Sequence, residues 1–391
     1  MDGFAAWTAD TALPLWADAG FDTARHRFHE RLDRHARAID VPQRAMVQAR
    51  QIYVFAHAAQ LGWHDRAADI AEAAMASLVR DYGETSGERS SFAFSIDRRG
   101  ATVSASRDAY THAFVLFAAA WLYRVNGDRR LLALADRVLA YLDAELRDAV
   151  HGGLFDSSPA EAATKRQNPL MHLLEALLAL ERAVPTGRYL ERATELVTLF
   201  KTRLFRPDPG ILVEHFARDW SHHPDRALAH LFEPGHHLEW AWLLAEYGRL
   251  AGEDMRAWSG PLRATALAHG LDRRGLLVDA VDADFAVVKG STRLWPHTEA
   301  IKAGVAAWRE GAPDGLVLAR RMADRLRSVF LDTPFAGGWT DHFDAAGLPL
   351  VDYVPASSLY HLFLAASELA QAEPGAARVP AERVAADQDC R

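Results

Sequence analysis

Two kinds of helical pattern alternate along this chain. One is apolar nearly all round and keeps its unusual polar residues near its start; the segments at about 42–60, 107–126, 167–183, 234–252, 294–310 and 355–372 are of this kind. A helix with no solvated face belongs in a protein interior. The other kind is amphipathic: in 128–146, Leu131, Leu134, Ala135, Val138 and Leu142 form a stripe opposite Arg129, Asp136, Arg137 and Asp143. That pattern places one face on a core and the other in water. Short Gly-marked runs follow the amphipathic members, as in Gly152-Gly153-Leu154-Phe155, Gly210-Ile211-Leu212-Val213, Gly275-Leu276-Leu277-Val278 and Gly337-Gly338-Trp339. They read as tight turns and short hairpins.

The helix pair recurs at intervals of roughly 50–65 residues, about six times. This predicts an all-α fold, an (α/α)6 toroid or barrel with short β-hairpins in the loops. A linear solenoid is the competing architecture. Helices apolar on both sides favour the toroid, because they must pack against an outer ring and against each other. The expected organisation is a catalytic domain over 1–372 and a tail over 373–391, rich in Ala, Pro and charge and expected to be poorly ordered.

Composition narrows the partners. Of 391 residues half are hydrophobic and a quarter charged, enough to build a large core, and the formal net charge is −8. Lysine occurs only at Lys165, Lys201, Lys289 and Lys302. This balance argues against nucleic-acid and anionic-membrane surfaces and favours a small, neutral ligand. The single cysteine, Cys390, excludes an internal disulfide and a cysteine metal cluster. The start carries Asp2, Asp10 and Asp18 rather than a basic cluster, and no apolar run has the length of a membrane span. A cytoplasmic monomer or homodimer is expected.

The polar residues at the starts of the apolar helices are the candidate site. They are Arg50, Tyr110, Asn168 and His172, then His236 and Glu239 in Pro234-Gly235-His236-His237-Leu238-Glu239-Trp240, then Arg293, Trp295, His297 and Glu299 in Arg293-Leu294-Trp295-Pro296-His297-Thr298-Glu299, and finally His361 in Ser357-Ser358-Leu359-Tyr360-His361. If the apolar helices all run the same way, these residues converge on one end of the toroid. Each also has a structural alternative: a capped or core histidine, an inter-helix link, a packing tryptophan. His237, Trp240 and Trp242 read as core.

These motifs together resemble the N-acylglucosamine 2-epimerase family of sugar epimerases and aldose–ketose isomerases. The resemblance runs from Arg50 to His361 and is carried by Pro234-Gly235-His236 with Glu239-Trp240, by Leu294-Trp295-Pro296-His297-Thr298-Glu299, by Asn168 with His172, and by Tyr360-His361. It implies the (α/α)6 barrel, two essential histidines at His236 and His361, and an arginine at Arg50 beside the sugar. Leu294 and His297 depart from the Trp-Trp-Pro form common in the epimerases, and the two late motifs look more like the mannose isomerase branch, close to the sulfoquinovose isomerases. The expected activity is therefore interconversion of D-mannose and D-fructose, with D-lyxose and D-xylulose as a further pair.

The chemistry is consistent with that expectation. Aldose–ketose isomerisation moves a proton from C2 to C1 through an enediol, and histidine suits proton transfer near neutrality. His361 is expected as the main base and His236 as its acid–base partner. Arg50 would offset enediolate charge; Tyr110, Asn168 and His172 would hold hydroxyls, Glu239 would orient His236 or accept a hydroxyl, Glu299 would contact the sugar or orient a neighbour, and Trp295 would form an apolar wall. No metal or cofactor is expected: His236-His237-Leu238-Glu239 is not His-Glu-x-x-His, and there is no nucleotide-binding glycine loop. A phosphate or sulfonate on the sugar would need a cationic recess, for which Arg107, Arg166 and Arg293 are available. The alternatives are a sugar 2-epimerase using the same histidines, and a glycoside hydrolase, which would need two carboxylates across the scissile bond.

Overall fold

A computed structural model describes residues 3–159, 164–333 and 335–372. The expected tail, 373–391, lies outside the described residues.

Six buried helices form the inner ring: Ala45–Leu61, Ala109–Asn126, Asn168–Ala183, Pro234–Ala251, Trp295–Arg309 and Leu359–Ala372. Each packs on the next, and the sixth returns to the first, so the ring is closed and the solenoid alternative is set aside. The local signals agree with these bounds. Proline occupies the first turn of the third, fourth and fifth inner helices, where its missing N–H costs no helical hydrogen bond. Gly62, Gly127 and Gly252 end the first, second and fourth in the left-handed conformation that a side chain disfavours.

The outer ring is Ala67–Tyr82, Arg129–Glu145, Arg188–Leu199, Arg256–His269 and Asp314–Val329, each against the inner helix that precedes it. The sixth outer position is filled from the other end of the chain. Gly3–Trp7 continues through a π-helical turn, Thr8–Ala12, into Leu13–Asp18, and this segment packs on Leu359–Ala372. Phe4, Leu13 and Trp16 are buried there. Among the described residues, no helix is long and apolar enough to cross a membrane.

The strands include the expected local hairpins and add a second kind of pairing. Local turns do occur, as in the hairpin pairing Phe205–Arg206 with Ile211–Leu212. Other pairing joins one repeat to the next. Gln43–Arg44 pairs with Ser95–Ile96, Arg107–Asp108 with Ser157–Ser158, Thr164–Arg166 with His215–Ala217, Thr292–Arg293 with His342–Phe343, and Tyr353–Pro355 with Arg31–Asp33. A bridge between Phe232 and Val281 completes the circle. The rim from which the inner helices start is thus stitched all the way round by antiparallel backbone hydrogen bonds.

A second device repeats beneath this rim. Backbone N–H groups of Phe28, Phe92, Leu212 and Leu277 donate to Gln48 Oε1, His112 Nε2, His237 Nε2 and His297 Nε2, at 2.8, 3.1, 3.0 and 3.0 Å. An acceptor imidazole must be neutral, and burial pushes His237 and His297 down to about 4. His297, grouped with the site residues from sequence alone, is therefore a structural residue that satisfies buried backbone.

Candidate active site

The stitched rim brings the first turns of all six inner helices to one end of the barrel. There they surround a cavity of about 280 Å³ lined by Arg50, Tyr110, Asn168, His172, His236, Glu239, Trp295 and His361, together with Arg44, Met46, Glu233, Arg293, Asp341, Ser357 and Ser358. Six helix N-termini aimed at one volume give it a positive partial potential suited to a developing oxyanion. Eight of the nine residues singled out for catalysis or sugar binding meet here.

The ninth, Glu299, does not line the cavity. It is fully buried behind His361, whose Nδ1 lies 2.8 Å from its Oε1. Contact with sugar is thereby corrected to orientation of an imidazole: the carboxylate accepts the Nδ1–H and leaves Nε2 as the free nitrogen. Burial pushes the His361 imidazole well below the usual histidine range, and the nearby Arg50 and Lys302 cations push the same way. The His361 imidazole is thereby kept neutral.

His236 has the opposite electrostatics. Its Nδ1 lies 2.8 Å from Glu214 and 3.9 Å from Glu233, and its Nε2 is 3.0 Å from Asn168 Nδ2. Burial alone would lower this imidazole, but the Glu214 and Glu233 charges lift it to about 9. The protonated ring needs an acceptor at Nε2. Turning over the Asn168 amide provides one, and also gives a partner to Asn168 Oδ1, which is otherwise buried without one. The residue orienting His236 is thus Glu214, not Glu239. Glu214 ends the apolar run Ile211-Leu212-Val213, and that isolated carboxylate was the signal available in the sequence.

Trp295 stands between the two histidines, its ring centroid 4.9 Å from His236 and 5.7 Å from His361. Gly235 makes that position possible, since a Cβ there would come within 2.5 Å of the indole. Arg50 donates to Ser357 O at 3.1 Å and to Tyr110 Oη at 2.5 Å, and its guanidinium lies over the Phe114 ring at 4.3 Å. No carboxylate among the described residues forms an ion pair with it. The other cavity arginines are paired: Arg44 with Glu30 at 2.5 Å, and Arg293 with Asp279 at 2.8 Å and Glu233 at 3.2 Å. Arg166, held by Asp156 at 2.6 Å, lines an adjoining pocket that shares Arg44, Met46, Tyr110 and Asn168 with this cavity, and Arg107, held by Glu84, is outside the cavity lining.

Below the cavity lies a buried polar floor. His172 Nδ1 is 3.1 Å from Glu175, which also accepts from Tyr360 Oη at 2.5 Å. Burial takes His172 down to about 4, and it pushes Glu239 well up, with Glu299 adding to that rise. Glu239 lines the cavity, and its buried Oε1 has no hydrogen-bond partner and lies 3.9 Å from His172 Nδ1. Donor atoms of Glu239, Glu299 and His361 lie within 4.8 Å of one another, as do those of His172, Glu175 and Glu239. Such clusters are where a cation would be sought. The Lys302 ammonium, 2.6 Å from Glu299, already supplies a positive charge there.

Comparison with known proteins agrees with this architecture. Residues 27–365 match the N-acylglucosamine 2-epimerase (GlcNAc 2-epimerase) family. A mannose-6-phosphate isomerase of Rhizobium meliloti is 33% identical over 93% of this chain and 95% of its own. A D-mannose isomerase of Thermobifida fusca is 31% identical over 65% of this chain and 66% of its own. The crystal structure of a D-mannose isomerase superposes with a TM-score of 0.85 at 18% identity, over 95% of this chain and 98% of that one, which shows a shared fold. The closed ring of helices, the two differently charged histidines at its mouth and these matches lead to one conclusion: the chain belongs to the N-acylglucosamine 2-epimerase family.

Proposed function

We propose that this protein is an aldose–ketose isomerase that interconverts D-mannose and D-fructose through a cis-enediol. The observation carrying the reading is the split between the two histidines that flank Trp295: one neutral with a free Nε2, the other charged and held by Glu214. Pairs of titratable groups pushed apart in this way divide naturally into base and acid.

In the open-chain aldose, His361 Nε2 removes the C2 proton. The C2–H electron pair becomes the C1–C2 double bond, and the carbonyl pair moves to O1, which takes a proton from His236. In the return step O2 gives its proton to His236, the C2 carbonyl forms, and C1 takes the proton from His361. Arg50, which lines the same cavity, would offset the negative charge that grows on the oxygens, a role typically worth about 3–4 kcal/mol. Tyr110, Asn168 and His172 are within the same cavity to hold hydroxyls.

Two other readings fit less well. A retaining or inverting glycosidase needs two carboxylates flanking the scissile bond; of the carboxylates that line this cavity Glu233 is paired with Arg293 and Asp341 is held by Ser358, which leaves Glu239, while Glu299 is sealed behind His361. A phosphorylated substrate, as named for the Rhizobium relative, needs an unsatisfied cation at the distal end of the sugar, whereas Arg44 and Arg293 already face carboxylates and the free arginine, Arg50, is beside His361. The test is product analysis with D-mannose, D-mannose 6-phosphate and N-acetyl-D-glucosamine supplied separately. Fructose from mannose, with kcat/KM at least about tenfold above that for the phosphate ester, is expected. Glucose as first product from mannose, or turnover of N-acetylglucosamine alone, would make the protein a 2-epimerase.

A further inference from the structure

Lys302 is the one lysine of the inner ring, and the proton-transfer scheme leaves it without a role. It sits one turn after Glu299 on the fifth inner helix, is fully buried, and places its ammonium 2.6 Å from Glu299 Oε2 and 4.1 Å from the centre of the Trp242 ring. The other oxygen of the same carboxylate takes the His361 Nδ1 contact at 2.8 Å. Ammonium, carboxylate and imidazole therefore lie in series, ending at the free Nε2 in the cavity.

Isolated buried charges are strongly disfavoured, so a lysine in this position needs a reason. Around it are Glu299 on its own helix, Glu239 and Trp242 on the fourth inner helix, Glu175 on the third, and His361 on the sixth. Burial pulls the ammonium down, while Glu299, Glu239 and Glu175 together hold it above the ordinary lysine value. Burial likewise favours a proton on Glu299, and Lys302 is the first force opposing it. If Glu299 gained a proton it would donate to His361 Nδ1. The single proton of the neutral imidazole would then have to sit on Nε2, and the lone pair facing the cavity would be gone.

We propose that Lys302 is a positioning residue that fixes a negative charge on Glu299 and thereby selects the Nδ1–H tautomer of His361. This rests on the reading of His361 as the proton-transferring base, but the tautomer itself is measurable without substrate.

The experiment is 15N–1H correlation NMR of the histidine side chains at neutral pH, with His361 assigned from a His361→Asn sample, on wild type, Lys302→Met and Lys302→Arg. Steady-state kinetics with D-mannose accompany it. Wild type is expected to carry its proton on Nδ1. Lys302→Met is expected to shift it to Nε2 and lower kcat on the order of 100-fold, the scale of a wrong-tautomer defect being large, with KM within about twofold. Lys302→Arg keeps the charge and is expected to retain the wild-type tautomer. An Nε2–H wild-type His361 overturns the proposal even if Lys302→Met fails to fold. A folded Lys302→Met that keeps the Nδ1–H tautomer and its kcat overturns it as well. A tautomer that responds as expected in a protein inactive on mannose supports the role of Lys302 and removes only the substrate reading.

Discussion

His236 and His361 are the same residue type at the third position of two inner helices, yet their surroundings give them opposite protonation states. The difference comes from what stands behind each ring. His236 has Glu214, which forms no ion pair with Lys or Arg among the described residues, beside Glu233, which is shared with Arg293; His361 has Glu299, whose charge is shared with Lys302. The consequence is a pH profile without a limb at the ordinary histidine value. Activity is expected to be flat through neutrality and to fall above about 9, where His236 loses its proton. The sign for stability is the same: a raised imidazole contributes fully below its unfolded value of about 6.5 and loses that contribution as pH rises through about 9. Glu214→Gln should move the alkaline limb toward neutrality, read from kcat/KM between pH 6 and 10; an unmoved limb would show that another group controls it. The histidines themselves were legible in sequence because each opens an apolar helix. Glu214 showed only as an isolated carboxylate after an apolar run, and its link to His236 was not legible: it lies 22 residues before its partner, in the bend between Ile211–Leu212 and His215–Ala217, where no helical spacing connects them.

At the scale of elements, the inner and outer helices were readable because burial writes itself along a whole helix: full-surface apolarity inside, a stripe outside. The bounds agree within a few residues, with the largest difference before the sixth inner helix, where Tyr353–Pro355 is strand and Ala356–Ser358 a 3-10 turn. The rim strands escaped detection because they are two or three residues long and pair with partners from the adjacent repeat, so neither alternation nor a local turn marks them. The imidazole acceptors beneath the rim bind the segments beside these strands, at Phe92, Leu212 and Leu277. Replacing His297 by Leu would leave the Leu277 N–H buried without an acceptor, a cost of about 1–3 kcal/mol. Chemical denaturation should show a lower midpoint at unchanged slope. An unchanged midpoint would mean that water or a shifted backbone replaces the ring.

For the whole molecule, closure of the toroid depends on both ends of the described chain. The last inner helix has no outer partner following it among the described residues; the segment Gly3–Asp18 takes that place, and Tyr353–Pro355 pairs with Arg31–Asp33. The helix count made six repeats legible, but which segment completes the sixth is a contact between residues more than 300 apart, and hydrophobic pattern carries no such address. Trp16, fully buried and with its ring centroid 5.9 Å from Trp339, sits in this seam. Trp16→Ala should cost about 3–5 kcal/mol while leaving KM for mannose unchanged, because the seam lies outside the cavity lining. A large KM change with little loss of stability would place the seam in contact with the site. The ring also sets the walls of the cavity: the starts of the inner helices, together with rim residues such as Arg44, Arg293 and Asp341.

The claim on which all of this turns is that His361 carries a proton between C2 and C1. The direct measurement is 1H and 13C NMR of D-mannose incubated in D2O with wild type and with His361→Ala. The account predicts fructose carrying deuterium at C1 with wild type and no conversion with the variant. Fructose with no deuterium at C1 from wild type, at short times and low conversion, together with undiminished turnover by the variant, would contradict it.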